Sequence, residues 1–296
     1  MRAKTCVITG ASGGIGLATA RALRERGFDV WIVGRDPDKL ARVEAELGAV
    51  AFRADFSSLD EVRALADALL ARGRAIDVLI NNAGVWHQRF TRSRDGFEDT
   101  FAVNHLAPYL LTRLLLPRLR QSDEPRVVHV SSRLHHQAGQ TSSLRGRAVH
   151  LVNVLGVPLR AVPAAFEEDR LDRVEGYRGL EAYARSKLAQ IVFSNELARR
   201  EPRVASNALH PGSVATDVTR DSAVLSLLIK LGGFVIKTPE QGARTSVHLA
   251  SEPALRGVSG RYFANCREAE PARVVHDRAL AERLWALSAD RVGLPA

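Results

Sequence analysis

Two short segments of the sequence carry residue types whose spacing could support chemistry. Tyr183 and Lys187 are four residues apart, and on a helix this spacing places both side chains on one face. A tyrosine hydroxyl has a pKa of about 10, so it exchanges protons at neutral pH only with help from nearby positive charge. The pair predicts a tyrosine acid–base assisted by Lys187, although such a pair also occurs by chance on ordinary helices.

A glycine-rich turn near the start of the chain is the second segment. It covers Thr9–Gly16, follows an apolar run and precedes a helical pattern. Gly10 lets the chain turn off the strand, Gly14 permits close approach of phosphates, and Gly16 permits tight packing of helix against strand. The amides of a helix N-terminus favour a pyrophosphate. The segment predicts a dinucleotide site formed by Gly10, Ser12, Gly13, Gly14, Ile15 and Gly16.

Short apolar strands alternate with amphipathic helices around these two segments. The pattern predicts strands over residues 4–9, 29–33, 49–54, 77–80, 126–130, 204–209 and 260–263, and helices over 15–27, 37–47, 58–71, 97–119, 179–200 and 239–250. Such alternation is typical of a doubly wound parallel sheet with helices on both faces. We expect a single-domain α/β Rossmann fold over residues 1–296, with about seven strands and the ligand outside their carboxyl ends.

Two segments do not fit the alternation, residues 133–178 and 219–237. The first is long and irregular, and the second is apolar and helical in pattern. Because both follow strand ends, we expect them to lie over the ligand cleft as substrate lids. Surface packing or a contact between subunits is the alternative for each.

The end of the second predicted strand bears on the choice of cofactor. An acidic residue there would bind the ribose of NAD, whereas the guanidinium of Arg35 suits the 2′-phosphate of NADP. Asp36 could bind the ribose or cap the helix that begins at Pro37. We favour NADP(H) over NAD(H). Other cofactor contacts are expected from the ends of the third and fourth strands, at Asp55, Phe56, Asn82, Ala83 and Gly84.

The composition narrows the function classes further. The net charge is +9, but the basic residues are spread along the chain without a run of five or six, so we expect no nucleic-acid partner. The longest apolar stretch, residues 222–236, is interrupted by Lys230 and is shorter than the roughly 20 residues of a membrane span. No spacing of His, Cys, Asp and Glu suggests a metal site. We expect a soluble cytoplasmic protein with two free cysteines.

Taken together, these motifs resemble the short-chain dehydrogenase/reductase family over almost the whole chain. The resemblance rests on the glycine turn, Asn81–Gly84, Asn104, Ser132, Tyr183-x-x-x-Lys187 and the segment Pro211–Thr216. More narrowly, the chain is similar to the retinol dehydrogenase branch in segments such as VVHVSSRLHH, AYARSKLAQIVFSNELARR and KTPEQGARTSVHLA. This resemblance implies NADP(H)-dependent interconversion of a carbonyl and an alcohol on a lipophilic substrate.

The resemblance also implies a role for each matching residue. Tyr183 would be the acid in reduction and the base in oxidation, and Lys187 would bind the nicotinamide ribose and lower the Tyr183 pKa. Ser132, rather than the adjacent Ser131, would orient the carbonyl, and Asn104 would hold a water that relays protons to Lys187. The nicotinamide would be covered by Pro211, Gly212, Val214 and Thr216.

We therefore expect a ketoreductase, in which NADPH reduces a bulky lipophilic ketone or aldehyde of polyketide-like or retinoid-like character. Oxidation of the alcohol, or a non-catalytic NADP(H)-binding sensor, are the alternatives. A homodimer or homotetramer is expected from the resemblance, and a monomer is the alternative if the long insertions block the contact. His87, His135 and His136 are expected to be exposed loop residues, with substrate contact as the alternative.

Overall fold

The computed structural model describes residues 2–138, 166, 171–214 and 237–296. Its eight strands form one sheet in the order β3-β2-β1-β4-β5-β6-β7-β8. The strands are β1 Thr5–Thr9, β2 Asp29–Gly34, β3 Val50–Arg53, β4 Val78–Asn81, β5 Arg126–Val130, β6 Ala205–His210, β7 Tyr262–Ala264 and β8 Arg267–Glu268. Neighbouring strands from β3 to β7 are parallel, and β8 runs antiparallel to β7.

The predicted doubly wound parallel sheet is confirmed, with one strand more than expected. The extra strand is β8, which follows β7 after a two-residue turn at Asn265 and Cys266. Both turn residues have positive φ, 51° and 59°, as a tight hairpin turn requires. Sequence reasoning missed this hairpin because neither residue is glycine and β8 is only two residues long.

The longer helices flank the sheet on both faces. They are α1 Gly14–Glu25, α2 Pro37–Leu47, α3 Leu59–Ala71, α4 Ala107–Leu119, α5 Gly179–Arg200, α6 Pro239–Ser251 and α7 Arg278–Arg291. Side chains alternate across the sheet, as a strand dictates. Cys6 and Ile8 of β1 therefore pack in a cluster with α1, α2 and α6, whereas Val7 packs in a second cluster with α3, α4, α5 and α7.

Two helical regions differ from their sequence-based predictions. The expected helix over 97–119 consists of a short turn Asp99–Phe101, a π-helical turn Ala102–Leu106 and then α4. Helix α7 was not predicted, although its buried residues Leu280, Leu284 and Ser288 recur every four positions on one side, which is a helical pattern.

The two expected lids lie mainly outside the described residues. Of segment 133–178, Arg133–Gln137 form a 3-10 turn after β5, and residues 171–178 lead into α5. Of segment 219–237, only Lys237 is described, where it forms a parallel bridge with Val214. The lid interpretation of both segments therefore stays a prediction.

Candidate active site

The glycine turn adopts a conformation that its sequence requires. Gly10 and Gly14 have φ of 66° and 53°, in the left-handed region that glycine tolerates. A Cβ on Gly16 would lie 2.2 Å from the carbonyl oxygen of Gly10, whereas a Cβ on Gly13 would have no neighbour within 4 Å. The turn thus brings the start of α1 hard against the end of β1, and leaves Gly13 on an open side.

Side chains at the ends of β1 and β4 lock the glycine turn in place. The amides of Asn82 and Ala83 both donate to Thr9 Oγ1 at 3.0 Å, and Asn82 Nδ2 donates to the Thr9 carbonyl at 2.8 Å. Asn82 Nδ2 also lies 3.3 Å from the Gly10 carbonyl oxygen. The Asn82 side chain is therefore used to join two strand ends, and the surface left for a ligand is backbone.

Gly84 connects this turn to the proton-transfer residues. A Cβ built on Gly84 would lie 3.1 Å from Asn104 Oδ1 and 3.3 Å from Lys187 Nζ. Any larger residue would press on both side chains. The end of β4 therefore brings the backbone next to the glycine turn within contact distance of the candidate proton-relay residues.

Tyr183 and Ser132 meet at the end of β5. Ser132 lies beside the Tyr183 hydroxyl and acts to lower its pKa, but this only partly offsets burial, the larger cause, which raises the pKa of Tyr183 to about 12. Ser132 Oγ also accepts the Leu134 amide at 3.2 Å, capping the 3-10 turn. A hydroxyl that accepts a backbone hydrogen bond has its own proton available for a second oxygen.

Lys187 is buried one helical turn from Tyr183. Its Nζ donates to the Val130 carbonyl at 3.0 Å and to Gln190 Oε1 at 3.1 Å, and lies 5.5 Å from the centre of the Tyr183 ring. Burial lowers the pKa of Lys187 to about 7. The raised pKa of Tyr183 is opposite to the lowering expected from Lys187, because desolvation of the phenolate is the larger effect.

Asn104 lies in the π-helical turn that precedes α4. Its Oδ1 accepts the Val85 amide at 2.8 Å, and its Nδ2 donates to the Val85 carbonyl at 3.0 Å and to Ser186 Oγ at 2.9 Å. Ser186 Oγ in turn donates to the Tyr183 carbonyl at 2.8 Å. Asn104 therefore ties the segment after β4 to the helix that carries Tyr183.

The two adjacent serines at the end of β5 point to different partners. Ser131 is 3% exposed and its Oγ donates to the Lys187 carbonyl at 2.8 Å, so it supports the backbone of α5. Ser132 is the one that reaches the Tyr183 hydroxyl. Sequence reasoning identified the second serine from the family resemblance, but missed the supporting roles of Ser131 and Ser186, which depend on tertiary contacts.

Arg35 and Asp36 have separate surroundings at the end of β2. Asp36 Oδ1 accepts the amides of Asp38 and Lys39 at 3.1 and 3.0 Å, and the Lys39 amide bond is the largest cause of its lowered pKa. Asp36 is thus the cap of α2, one of the two alternatives. Arg35 is exposed, and its guanidinium has no hydrogen bond or ion pair among the described residues.

Asp55 and Phe56, expected near the adenine, form the turn after β3. Asp55 Oδ1 accepts the Ser57 amide at 3.0 Å, and Asp55 Oδ2 lies 3.4 Å from Arg94. Phe56 is 6% exposed and packs in the core cluster on the α3 side of the sheet. The carboxylate of Asp55 therefore already has two partners, Ser57 within the turn and Arg94 outside it.

The segment after β6 is held from two sides. Gly212 has a φ of 92°, and a Cβ there would lie 2.8 Å from Lys237 Nζ. The side chain of Val214 packs toward Gly242 of α6, whose built Cβ would lie 2.7 Å from it and 3.2 Å from Ile15. This segment therefore adjoins the start of α1. Thr216 lies outside the described residues.

The three candidate histidines differ from one another. His87 Nε2 lies 2.7 Å from Asp99 Oδ2, and this bond raises its pKa. His136 is half-buried, with its ring 4.0 Å from that of His135. His135 is fully buried, so the expectation that it is an exposed loop residue is wrong, because the 3-10 turn directs its ring inward.

Neither a metal-binding cluster nor a membrane-spanning helix is found among the described residues. Among residues 2–138, 166, 171–214 and 237–296, no cluster of three His, Cys, Asp or Glu side chains is placed to hold a metal ion. In the same portions of the chain, no helix combines the length and apolarity that crossing a membrane demands.

Comparison with known proteins gives consistent matches. The family described as short chain dehydrogenase matches residues 4–144. Retinol dehydrogenase 11 of Homo sapiens is 37% identical over 301 residues, covering 99% of this chain and 86% of that protein. Retinol dehydrogenase 14 of Mus musculus is 38% identical over 317 residues, covering 99% of this chain and 87% of that protein.

Solved structures share the fold as well. An uncharacterised protein from Mycobacterium Paratuberculosis superposes with a TM-score of 0.73 at 30% identity, covering 99% of this chain and 95% of the other. A protein from Beutenbergia cavernae, provisionally assigned as an NAD(P) dependent gluconate 5-dehydrogenase and solved with NADP at low occupancy, gives a TM-score of 0.66 at 27% identity. The shares covered are 88% of this chain and 94% of that one.

Proposed function

Because the chain belongs to the short-chain dehydrogenase/reductase family, on its retinol dehydrogenase-like branch, we propose that it is an NADPH-dependent carbonyl reductase. Its substrate is a bulky, lipophilic ketone or aldehyde. Family membership makes it an oxidoreductase of CH–OH and C=O groups that binds a nicotinamide cofactor. The observation that carries the finer proposal is the placement of Ser132 beside the Tyr183 hydroxyl, next to the buried Lys187.

The residues that would hold NADPH fit its shape and charge. The turn at Gly10, Gly14 and Gly16 supplies a cradle of backbone in which a Cβ at Gly10 or Gly16 would clash with the chain, and the start of α1 offers amides to a pyrophosphate. The free guanidinium of Arg35 suits the 2′-phosphate, since Asp36 is engaged as a helix cap. These two features support NADP(H) over NAD(H).

Four residues then perform the proton chemistry. NADPH supplies the hydride. Tyr183 donates its proton to the carbonyl oxygen, and Ser132 donates a hydrogen bond to the same oxygen and stabilises its growing negative charge. Lys187 would bind the nicotinamide ribose hydroxyls, and Asn104 would position the relay that returns a proton to Tyr183 through Lys187. The high pKa of Tyr183 keeps the hydroxyl protonated throughout the neutral range, as an acid requires.

An aromatic wall supports an apolar substrate. The ring centroids of Trp86 and Tyr183 lie 6.4 Å apart, so an indole adjoins the phenol ring of the candidate acid. Flat unsaturated or polycyclic groups pack well on such a surface. The similarity to retinol dehydrogenases supports the same substrate class, and both polyketide-like and retinoid-like compounds belong to it.

Oxidation of an alcohol is the alternative that uses the same residues, with Tyr183 as the base. That direction needs a phenolate, and burial disfavours it unless a positive nicotinamide ring lowers the pKa. A non-catalytic NADP(H)-binding sensor is the other alternative. It gives no reason for Tyr183 and Ser132 to be joined next to Lys187.

Oxidation of NADPH and NADH, measured side by side with a panel of small to polycyclic carbonyls, tests the proposal. We expect turnover with NADPH on the large apolar members. The Arg35→Gln variant should lose about 10–100-fold in kcat/KM for NADPH, the value of one or two hydrogen bonds to a charged group, with little change for NADH. Arg42→Gln on the outer side of α2 is the matched control. Equal use of both cofactors by the protein and by Arg35→Gln would contradict the NADPH preference.

A further inference from the structure

His135 lies directly behind Ser132, in the 3-10 turn Arg133–Gln137 that follows β5. Its side chain is completely buried. The ring is 5.0 Å from that of Tyr262 on β7, in an edge-on arrangement. Burial of a polar ring demands partners for its nitrogen atoms, so the hydrogen bonds of His135 define what it does.

Each ring nitrogen of His135 has one backbone partner, a hydrogen-bond acceptor at Nδ1 and a hydrogen-bond donor at Nε2. Nδ1 lies 2.6 Å from the carbonyl oxygen of Ser132, and the Ala272 amide donates to Nε2 at 3.1 Å. A carbonyl oxygen can only accept and an amide N–H can only donate. His135 must therefore be neutral, with its proton on Nδ1. Burial, which lowers the pKa of His135 to about 3, acts in the same direction.

The Ser132 carbonyl consequently receives two hydrogen bonds from one residue. The backbone amide of His135 donates to it at 3.1 Å, in addition to the ring at 2.6 Å. Ser132 has an extended backbone (φ −147°, ψ 151°), and its side chain lies beside the Tyr183 hydroxyl, whose pKa it lowers. Rotation of the peptide that follows Ser132 would break both bonds, so His135 holds the backbone of Ser132, from which the side chain with Oγ projects.

The far side of the ring is fixed as well. Tyr262, which packs against His135, is also stacked on His210, with its hydroxyl 2.7 Å from His210 Nδ1. His210 immediately precedes Pro211-Gly212. The rings of His135, Tyr262 and His210 thus join the end of β5 to the end of β6, the two strand ends between which the proposed reaction takes place.

We infer that His135 is a positioning residue, whose Nδ1–H holds the Ser132 carbonyl so that Ser132 Oγ faces the Tyr183 hydroxyl. The inference rests on the proposed reductase activity, because it assigns His135 a purpose within that site. In this role His135 does not need to contact the substrate. The inference requires that kcat depends on the hydrogen bond made by Nδ1 and not on the one made by Nε2.

Two substitutions separate the bonds. In His135→Asn the amide nitrogen takes the place of Nδ1 and keeps a donor for the Ser132 carbonyl, whereas in His135→Gln the amide reaches the place of Nε2 and keeps only the Ala272 side. Each variant loses one buried bond, so we expect similar falls in melting temperature. We expect His135→Gln to lose at least about tenfold in kcat with an unchanged Kd for NADPH, the loss that about 1.4 kcal/mol produces. His135→Asn should retain most of the kcat of the unaltered protein.

Equal losses of kcat in the two variants, following their losses of stability, would overturn the inference and leave His135 a structural residue. If neither variant folds, ¹⁵N-histidine spectra of the unaltered protein decide between the tautomers. The inference requires a neutral ring with Nδ1 protonated from pH 5 to 9, and an Nε2–H tautomer would overturn it.

Failure of the protein to reduce any carbonyl would instead refute the proposed function, and this outcome is distinguished by the same kcat measurement on the unaltered protein.

Discussion

Burial shifts the pKa values of Tyr183 and Lys187, the two residues that we propose take part in proton transfer. It raises the pKa of Tyr183 to about 12 and lowers that of Lys187 to about 7. Both shifts favour the neutral form, since a low-dielectric surrounding disfavours charge of either sign. A neutral phenol is the form needed to donate a proton to a carbonyl, which supports the proposed direction of reduction.

Lys187→Met should change the pH dependence of stability, in favour of the variant at low pH. The unfolded chain binds a proton on Lys187 up to the ordinary pKa of 10.5, but the folded chain only up to about 7. Between these values the unfolded state holds more protons, so the stability of the unaltered protein rises with pH. Methionine removes this dependence. The variant's advantage in unfolding free energy should be about 3 kcal/mol larger at pH 6.5 than at pH 9.5, at about 1.4 kcal/mol per pKa unit.

Urea unfolding at the two pH values measures this difference. Lys39→Met on the exposed surface is the control, and it should show the same pH dependence as the unaltered protein. An identical pH dependence for Lys187→Met and the unaltered protein would show that Lys187 is charged in the fold and that burial does not control its proton.

At the scale of residues, the sequence predicted features that depend on neighbours in the chain better than features that depend on tertiary contacts. Tyr183 and Lys187 are local neighbours on one helix, so spacing alone suggested them. Arg35 and Asp36 adjoin each other, yet only the structure shows that the Asp36 side chain caps α2. His135 was misjudged because its burial depends on Tyr262 and Ala272, more than 100 positions along the chain.

At the scale of elements, the parallel sheet brings the site together. The ends of β1, β4, β5 and β6 carry the glycine turn, Asn82, Ser132 and Pro211, and parallel strands present their carboxyl ends at one edge. This much follows from the alternation of apolar strands and amphipathic helices. The π-helical turn that carries Asn104 and the two-residue β8 do not follow from it, since both depend on packing of neighbouring elements rather than on periodicity.

The glycine turn permits a sharp comparison of two substitutions. Gly16→Ala places a methyl group 2.2 Å from the Gly10 carbonyl oxygen and 2.6 Å from Asn82 Nδ2, so β1, β4 or α1 must move. We expect a loss of about 1–3 kcal/mol in unfolding free energy, the usual cost of overpacking. Gly13→Ala meets nothing within 4 Å and has an extended φ of −176°. Its melting temperature should be unchanged. Similar melting temperatures for the two variants would contradict this account of the turn.

At the scale of the whole molecule, the C-terminal helix α7 completes the core on one face of the sheet. Trp285 is 5% exposed, and its ring lies 5.2 Å from Tyr109 and 5.9 Å from Phe193 of α5. The guanidinium groups of Arg113 and Arg200 lie 4.7 and 4.3 Å from the same ring. The chain end is therefore part of the support of α5, which carries Tyr183 and Lys187.

Trp285→Ala should lower the unfolding free energy by about 3–5 kcal/mol, as expected for loss of a large buried aromatic side chain. Arg283→Ala, at an exposed position of the same helix, should change it by less than about 0.5 kcal/mol. Chemical unfolding of both variants checks the difference. A loss below about 1 kcal/mol for Trp285→Ala would mean that α7 is dispensable to the core.

The expected homodimer or homotetramer stays a prediction.

The measurement that tests the central claim most directly compares the unaltered protein with Tyr183→Phe. NADPH deuterated at the nicotinamide C4 is incubated with a polycyclic ketone or a long unsaturated aldehyde, and the alcohol is followed by mass spectrometry. We predict alcohol that carries one deuterium from the unaltered protein. Tyr183→Phe should lose at least about 100-fold in rate, the value of acid catalysis, while its affinity for NADPH is retained. Deuterated alcohol formed equally fast by Tyr183→Phe would contradict the account.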